Sequence, residues 1–302
     1  MTAGQTVAGT IRDATRRLAA AGLDTPRLDA EVLLRHVLGV DRTALFVRYL
    51  EPIEPAALAA YEGLLARRLA GEPVAYLTGQ REFLGLALAV TPDVLVPRPE
   101  TEQLVEWARD WLLRPGRERA QVIDVGTGSG AIAVGLASLL PDAWAGRITA
   151  VDVSPAALAV AGGNRDRLRA TELRERSALD RIAFQLGDLL GDVAGPVDLV
   201  LANLPYLTPG QVNGNPDLAA EPRLALDGGP DGLDLIRRLI DDLPRVLAAG
   251  GAVALELDSA QADTVAGLLR TAEPDATVRV LDDLAGLARF VVMERAGERP
   301  AR

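Results

Sequence analysis

From residue 120 onward the chain alternates short β-rich apolar runs with helical stretches, and this alternation narrows the available folds more than any other feature. Strands are expected at 120–125, 147–153, 182–186, 197–202, 252–257, 276–281 and 288–294. Helices are expected at 131–140, 155–169, 233–248 and 261–271. Strands that alternate with helices build a mostly parallel sheet covered on both faces. The last two strands follow each other too closely for a crossover helix, which implies an antiparallel edge. The expected fold class is therefore α/β, with a seven-stranded, mostly parallel sheet.

The first 75 residues have a different texture. Apolar residues recur at helical spacing over 7–21, and Gly22 ends the run. Asp24, Thr25 and Pro26 then make a helix start, and a second stretch over 28–38 stops at Gly39. A third amphipathic stretch covers 55–70, before Gly71. These predict a small helical domain. Between 74 and 96, Val74, Tyr76, Phe83, Leu86, Leu88, Val90, Val94 and Val96 stand among Gly and Pro residues, which reads as a β-hairpin linker. A helix is expected to resume over 99–113. The resulting division is a helical domain at 1–73, a hairpin linker at 74–98, a third part at 99–297 and a tail at 298–302.

The most informative local motif follows the first strand of the alternating region: Asp124-Val125-Gly126-Thr127-Gly128-Ser129-Gly130. Glycines between a strand and a helix allow a tight turn and a close backbone approach to a ligand. The spacing is G-x-G-x-G, and Ala131 stands one residue after the third Gly, so the dinucleotide fingerprint G-x-G-x-x-G is not met. Asp124 at the strand end would repel a pyrophosphate and suits a cationic amino acid. Read alone, such a loop can be no more than a tight turn.

Two further acids change the reading. Asp152 ends the second strand, where a carboxylate can accept from both hydroxyls of a ribose. Asp188 follows the third strand, where it can meet an adenine amine. Each acid alone is an ordinary solvated loop residue; three at successive strand ends beside one glycine loop describe a nucleoside that carries no phosphate. S-adenosyl-L-methionine, with its ribose, adenine and sulfonium amino acid, fits that description.

The fourth strand runs into Asn203-Leu204-Pro205-Tyr206. Pro205 lacks an N–H and biases Leu204 towards an extended conformation, which exposes the Leu204 carbonyl. That carbonyl and the Asn203 amide oxygen can accept side by side from a planar –NH2 group. Tyr206 offers a ring face. The group served is a side-chain amide or an exocyclic base amine. The bland reading is an ordinary proline turn.

Composition removes most competing chemistry. The chain has no Cys and one His, His36, and all 32 of its basic residues are Arg. Cysteine nucleophiles, thiolate metal sites, Schiff bases and a P-loop lysine are excluded, and no metal site is expected. The net charge is −10; the first 75 residues hold nine Arg and nine acids, so the whole deficit lies downstream. Nucleic-acid binders carry a basic footprint, so direct nucleic-acid binding is not expected. No run is long enough to cross a membrane and the first ten residues do not read as a signal peptide. A cytoplasmic, monomeric protein without membrane contact is expected. His36 reads as a packing or surface residue, Trp107 and Trp111 as packing, and Arg12, Arg16 and Arg17 as a solvated face.

Over nearly its whole length the sequence resembles the release-factor glutamine methyltransferase family. The resemblance rests on the two motifs above and on Gly71-Glu72-Pro73-Val74-Ala75-Tyr76, Gly79, Glu82-Phe83-Leu84-Gly85 and Pro97-Arg98-Pro99-Glu100-Thr101-Glu102. Glu221-Pro222-Arg223-Leu224-Ala225-Leu226, Asp231-Gly232-Leu233 and Ala285-Gly286-Leu287-Ala288-Arg289 extend it. It implies a class I S-adenosylmethionine-dependent methyltransferase domain, Rossmann-like, behind a helical substrate-recognition domain. It also implies methyl transfer to the glutamine of the Gly-Gly-Gln motif of peptide chain release factors, leaving S-adenosyl-L-homocysteine. The family's cofactor loop falls on Gly126, Thr127, Gly128, Ser129 and Gly130, and its ribose acid on Asp152. The position after Asp188, often aromatic in the family, is Leu189. The substrate motif falls on Asn203, Leu204, Pro205 and Tyr206, where Leu204 replaces the commoner Pro. Arg98, Glu100 and Thr101 join the substrate candidates, with a supporting role for the linker or helix start as the alternative.

Three other functions compete. Asn-Leu-Pro-Tyr also occurs in RNA adenine-N6 methyltransferases, against which stand the acidic charge and the absent Lys. A glutamine methyltransferase acting on a ribosomal protein is a close relative, but Pro99-Glu100 stands where that group carries Ser-Pro. A non-catalytic cofactor-binding module would not need Asn203 beside an intact glycine loop.

Overall fold

A computed structural model of the chain describes residues 5–170, 177–215 and 218–297. The 298–302 tail expected from sequence lies outside them. The chain divides into two compact units, one running to Gln80 and the other beginning at Arg81, with the stretch around 218–220 grouped with the first.

The first unit is helical. Helix α1 (Val7–Ala20) buries Val7, Ile11, Ala14 and Leu18, and the Gly9 N–H donates to the Thr6 hydroxyl that caps it. Helix α2 (Pro26–Leu38) starts at the proline the sequence marked and ends at Gly39, whose φ of 63° gives the left-handed cap. Helices α3 (Arg42–Val47), α4 (Pro55–Leu69) and α5 (Val74–Thr78) complete the unit. Tyr61 is fully buried and donates to the Ala30 carbonyl at 3.2 Å. One helix corrects the sequence reading: 74–78 is helical, not the first arm of a hairpin. Pro73 starts it, Gly79 at φ 71° stops it, and Leu77 packs into this unit's core, so helix punctuation overrides the β-branched residue. The short α3 was not read from sequence.

The second unit opens with a small hairpin, β1 (Gln80–Phe83) and β2 (Leu86–Ala89), shorter than the sequence suggested. Then come α6 (Glu100–Leu112), β3 (Gln121–Val125), α7 (Ala131–Leu139), β4 (Arg147–Asp152), α8 (Pro155–Ala170), β5 (Ile182–Leu186) and β6 (Val197–Asn203). The chain continues through α9 (Pro209–Gly214), α10 (Asp234–Val246), β7 (Leu247–Glu256), α11 (Ala262–Ala272), β8 (Thr277–Asp282) and β9 (Ala288–Glu294). Strands β3 to β9 form one seven-stranded sheet in the order β5-β4-β3-β6-β7-β9-β8. All pairs are parallel except those made by β9, so the antiparallel edge lies where expected.

Each face of the sheet carries its own core. One holds α6, α7 and their apolar faces, with Trp111, Leu104 and Leu136 fully buried. Trp111 also donates to Glu294 and lies under the Arg117 guanidinium, 3.4 Å from its centroid, which settles it as a packing residue. The other core holds α10 and α11, with Leu239, Leu243 and Val265 fully buried. The strand order places β4 on one side of β3 and β6 on the other. The sheet therefore reverses its winding direction between β3 and β6, and the crevice at their carboxyl ends is the natural ligand position.

Candidate active site

The loop after β3 and the turn after β6 meet because their strands are neighbours. Val125 pairs in register with Ala202, so Gly126 and Asn203 leave the sheet side by side although 77 positions separate them. A cavity of about 340 Å3 opens there. Twelve of the sixteen sequence candidates line it: Arg98, Thr101, Gly126, Thr127, Gly128, Ser129, Asp152, Asp188, Leu189, Asn203, Leu204 and Pro205. Glu100, Asp124, Gly130 and Tyr206 do not.

Asp124 sits beneath the loop rather than on the wall. It is fully buried, and its Oδ2 accepts from the Thr127 hydroxyl at 2.6 Å and from the Ala133 N–H at 3.0 Å. It thus ties the loop to the first turn of α7, where a carboxylate also suits the helix dipole. Burial pushes its carboxyl up to about 7, against the pull of those two hydrogen bonds. Its Oδ1 is buried without a partner. Gly130 also works from behind: a Cβ there would stand 3.0 Å from the Ala161 Cβ, so glycine lets α7 and α8 approach. Its φ of 81° is one that side chains avoid.

The loop itself is held by backbone bonds. Gly126 and Thr127 N–H both donate to the Val151 carbonyl, at 2.8 and 3.0 Å. The Gly128 N–H donates to Asp152 Oδ2 at 2.9 Å, and the Ser154 N–H to Asp152 Oδ1 at 2.9 Å. Both oxygens are thereby fixed, each with a lone pair left for a ligand hydroxyl. Asn164, nearly fully buried, donates to the Ser129 carbonyl at 2.8 Å and braces the far side of the loop.

Asp188 forms an exposed pair with Arg238 at 2.6 Å, a partner the sequence gave no reason to expect. Leu189 follows at φ 53°, a left-handed conformation rare for leucine, with its side chain buried on the cavity wall. A strained backbone at a wall position is the kind of feature that gathers at ligand sites.

Opposite the loop stands Asn203. Its Nδ2 donates to Thr101 Oγ1 at 3.1 Å. This leaves Oδ1 as the free acceptor of the amide. Thr101, in the first turn of α6, is buried. Arg98 reaches the cavity from the segment before α6 and is held by Glu221 Oε1 at 2.5 Å, while Glu221 Oε2 accepts from the Val96 N–H at 3.1 Å. Tyr206 packs against the α10–α11 core, its carbonyl accepts from Gln261 at 2.9 Å, and burial raises its hydroxyl to about 12. The expected ring platform is therefore an anchor of the turn and not part of the cavity wall.

Glu221 and Glu256 were not singled out as site residues. Glu256 carries the signal that flagged Asp124 and Asp152, an acid ending an apolar strand. Glu221 heads a stretch that carries the family resemblance, but its role appears only with its distant partners, Val96 and Arg98.

Comparison with known proteins shows what the chain is similar to. The family model described as the PrmC N-terminal domain matches residues 10–79. A model described as ribosomal protein L11 methyltransferase matches 102–205. A release factor glutamine methyltransferase of Deinococcus radiodurans is 42% identical over 95% of this chain and 98% of its own. One of Moorella thermoacetica is 42% identical over 95% of this chain and 97% of its own. Among solved structures, the hMettl16 catalytic domain in complex with MAT2A 3′UTR hairpin 6 superposes with a TM-score of 0.54 at 16% identity. That likeness covers 76% of this chain and 83% of the other, and it speaks to the fold alone.

Proposed function

The chain belongs to the release factor glutamine methyltransferase family, and from that premise we propose that it methylates the side-chain amide nitrogen of the glutamine in the Gly-Gly-Gln motif of peptide chain release factors. The observation that carries this reading is the Asn203 side chain: its Nδ2 is engaged by Thr101, so Oδ1 is the atom left to accept, on the wall of the cavity that the glycine loop shares.

S-adenosyl-L-methionine as methyl donor fits the residues present. Asp152 offers two held carboxylate oxygens suited to vicinal hydroxyls. Gly128, at φ 55°, presents bare backbone where a side chain would be strained. Asp93, Asp152 and Asp188 line the cavity together with Arg98 and Arg238, and Arg238 is paired with Asp188 and Arg98 with Glu221. Bound there, the cofactor supplies a methyl group on a sulfonium that departs as a neutral thioether, giving S-adenosyl-L-homocysteine.

The protein's contribution is position. An amide nitrogen is a weak nucleophile because its lone pair is delocalised. Asn203 Oδ1 and the Leu204 carbonyl would accept its two N–H groups and so orient the nitrogen towards the methyl group that a cofactor held by the glycine loop would offer. The same two acceptors would stabilise positive charge as it develops on nitrogen, until one N–H proton passes to water. Pro205 contributes by having no N–H and by restricting Leu204. Gly126 against Leu204 couples donor loop and acceptor turn.

A cytoplasmic location goes with this reading, since release factors act there; among the described residues no helix is long and apolar enough to cross a membrane. The helical unit is the part we assign to substrate recognition. The domain limits are proposed as a helical domain at 1–73, a linker at 74–98 and a methyltransferase domain at 99–297. The test is incubation with methyl-labelled cofactor and either a release factor or ribosomal RNA. Label on the protein is expected; label on RNA alone would overturn the reading.

A further inference from the structure

Apolar side chains in contact with solvent are ordinary when scattered and informative where they edge a site. Val153, at 54% exposure, and Leu224, at 63%, are both exposed and both line the cavity. They stand at its rim. Exposed apolar residues such as Leu50 and Leu284 do not line it. Methyl transfer as described uses neither rim residue.

Leu224 is held out on a braced turn. It sits in a short 3₁₀ turn, Arg223–Ala225, between two buried anchors, Glu221 and Leu226. The Ala225 N–H donates to the Pro222 carbonyl at 2.9 Å. The Leu226 and Asp227 N–H groups donate to the Arg223 carbonyl at 3.0 and 2.9 Å. The Arg223 side chain donates to Asp227 at 3.0 Å and to Asn213 at 3.2 Å. The turn is thus ordered in advance, and little backbone freedom is lost when a partner covers Leu224.

The turn is tied to the acceptor side of the cavity at both ends. Glu221 holds Arg98, and the Arg98 carbonyl accepts from the N–H of Thr101, the residue that engages Asn203. At the other end the Leu226 carbonyl accepts from the Leu207 N–H at 3.0 Å, and the Gly228 N–H donates to the Leu207 carbonyl at 2.8 Å. Leu207 directly follows the 203–206 turn. Val153 belongs to the other side: it lies between Asp152 and Ser154, whose N–H donates to Asp152, which also holds Gly128.

We infer that Leu224 is a specificity-determining residue for the acceptor, giving an apolar contact to the polypeptide that flanks the glutamine entering the cavity. The inference rests on the reading of the 203–206 turn as the acceptor site. An isolated amide inside the cavity would leave Leu224 in water, whereas a chain that runs on past the rim covers it. The contact favours an uncharged stretch of polypeptide, because a charged group set against Leu224 would lose water and gain no partner. A nucleic-acid backbone, charged at every step, gains nothing there.

The test uses the full chain with Leu224→Asn, Leu224→Ala, Leu224→Met and, for the donor side, Val153→Asn. The substitutions are neutral, so none acts through net charge. Each variant is measured for thermal melting, for Kd of S-adenosyl-L-homocysteine by calorimetry, and for KM and kcat on a release factor. Leu224→Asn is expected to raise KM about tenfold and Leu224→Ala about fivefold, the scale of covering part of one leucine. Leu224→Met should stay within about twofold, since it keeps the apolar volume. The melting temperature, kcat and the Kd of S-adenosyl-L-homocysteine should hold in all three Leu224 variants. Val153→Asn should show the reverse pattern, with a raised Kd and an unchanged KM for the release factor. Native methylation of the factor with an unchanged KM in Leu224→Asn would overturn the inference alone. So would a rise in Kd equal to the rise in KM, or a Leu224→Met as poor as Leu224→Asn. Native protein that labels RNA and leaves release factors unlabelled would overturn the functional reading, and this inference with it.

Discussion

The Leu204 side chain lies directly against Gly126: a Cβ built on Gly126 would stand 3.0 Å from Leu204 Cδ2. The 126–130 loop and the 203–206 turn therefore touch through a residue that has no side chain and one that is almost wholly buried. Gly126 also sits at φ 71°. Gly126→Ala is expected to lower stability by about 1–2 kcal/mol from the left-handed conformation alone. It should also displace Leu204 and weaken both cofactor affinity and turnover. Calorimetric titration with S-adenosyl-L-homocysteine and a thermal melt would show the two effects together.

Asn203→Ala separates binding from chemistry. The substitution removes one of the two acceptors proposed for the substrate amide but leaves the 126–130 loop and Asp152 in place. Turnover should fall by about 100- to 1,000-fold, by analogy with the loss of one oxyanion-hole donor. Cofactor affinity should stay within about twofold. Equal losses in both would make Asn203 a cofactor ligand only.

Glu221→Ala is expected to act on stability and on the cavity at once. Glu221 is buried, holds Arg98 at 2.5 Å and receives the Val96 N–H. Its removal leaves that N–H without its partner, which costs about 1–3 kcal/mol. Arg98, which lines the cavity, loses its fixed position. Urea unfolding should show a lower midpoint at an unchanged slope, and the KM for the release factor should rise more than the cofactor Kd.

Two buried carboxyls give the stability a defined pH dependence. Burial raises Asp124 and Glu256 from ordinary values of 3.8 and 4.5 to about 7 each. Between those limits the folded protein binds more protons than the unfolded chain, so these groups make stability fall as pH rises. Their full contribution is present below about pH 4 and is lost as pH passes 7. Each adds a slope of about 1 kcal/mol per pH unit within that window. Glu256→Gln should remove its share, so its stability relative to native should improve steadily from pH 4.5 to 7. Chemical denaturation at several pH values would measure this; a difference that stays flat across the window would contradict it.

The sequence was most readable where local rules act alone. The parallel sheet followed from strand–helix alternation, and its antiparallel edge from the short spacing before β9. The glycine loop and the Asn203 turn were visible as strand-end motifs. Less legible were features made by the strand order. That Val125 pairs with Ala202, and Asn203 with Glu256, depends on which strands become neighbours, and no local pattern encodes that. Asp124 and Asp152 look alike in sequence, yet one is sealed beneath the loop and the other faces the cavity. Tyr206 reads as a ring platform until α10 and α11 pack against it. The helix at Val74–Thr78 shows the reverse error, where β-branched residues drew attention from the Pro73 and Gly79 that bound it.

In the proposed function the methyl acceptor is one glutamine side chain of a release factor. The direct measurement is transfer of labelled methyl from S-adenosyl-L-methionine to purified release factor, compared with the same factor carrying Gln→Ala in its Gly-Gly-Gln motif. Label on the native factor, located by peptide mass spectrometry on that glutamine, and none on the substituted factor is the expected result. Equal labelling of both factors would contradict the account.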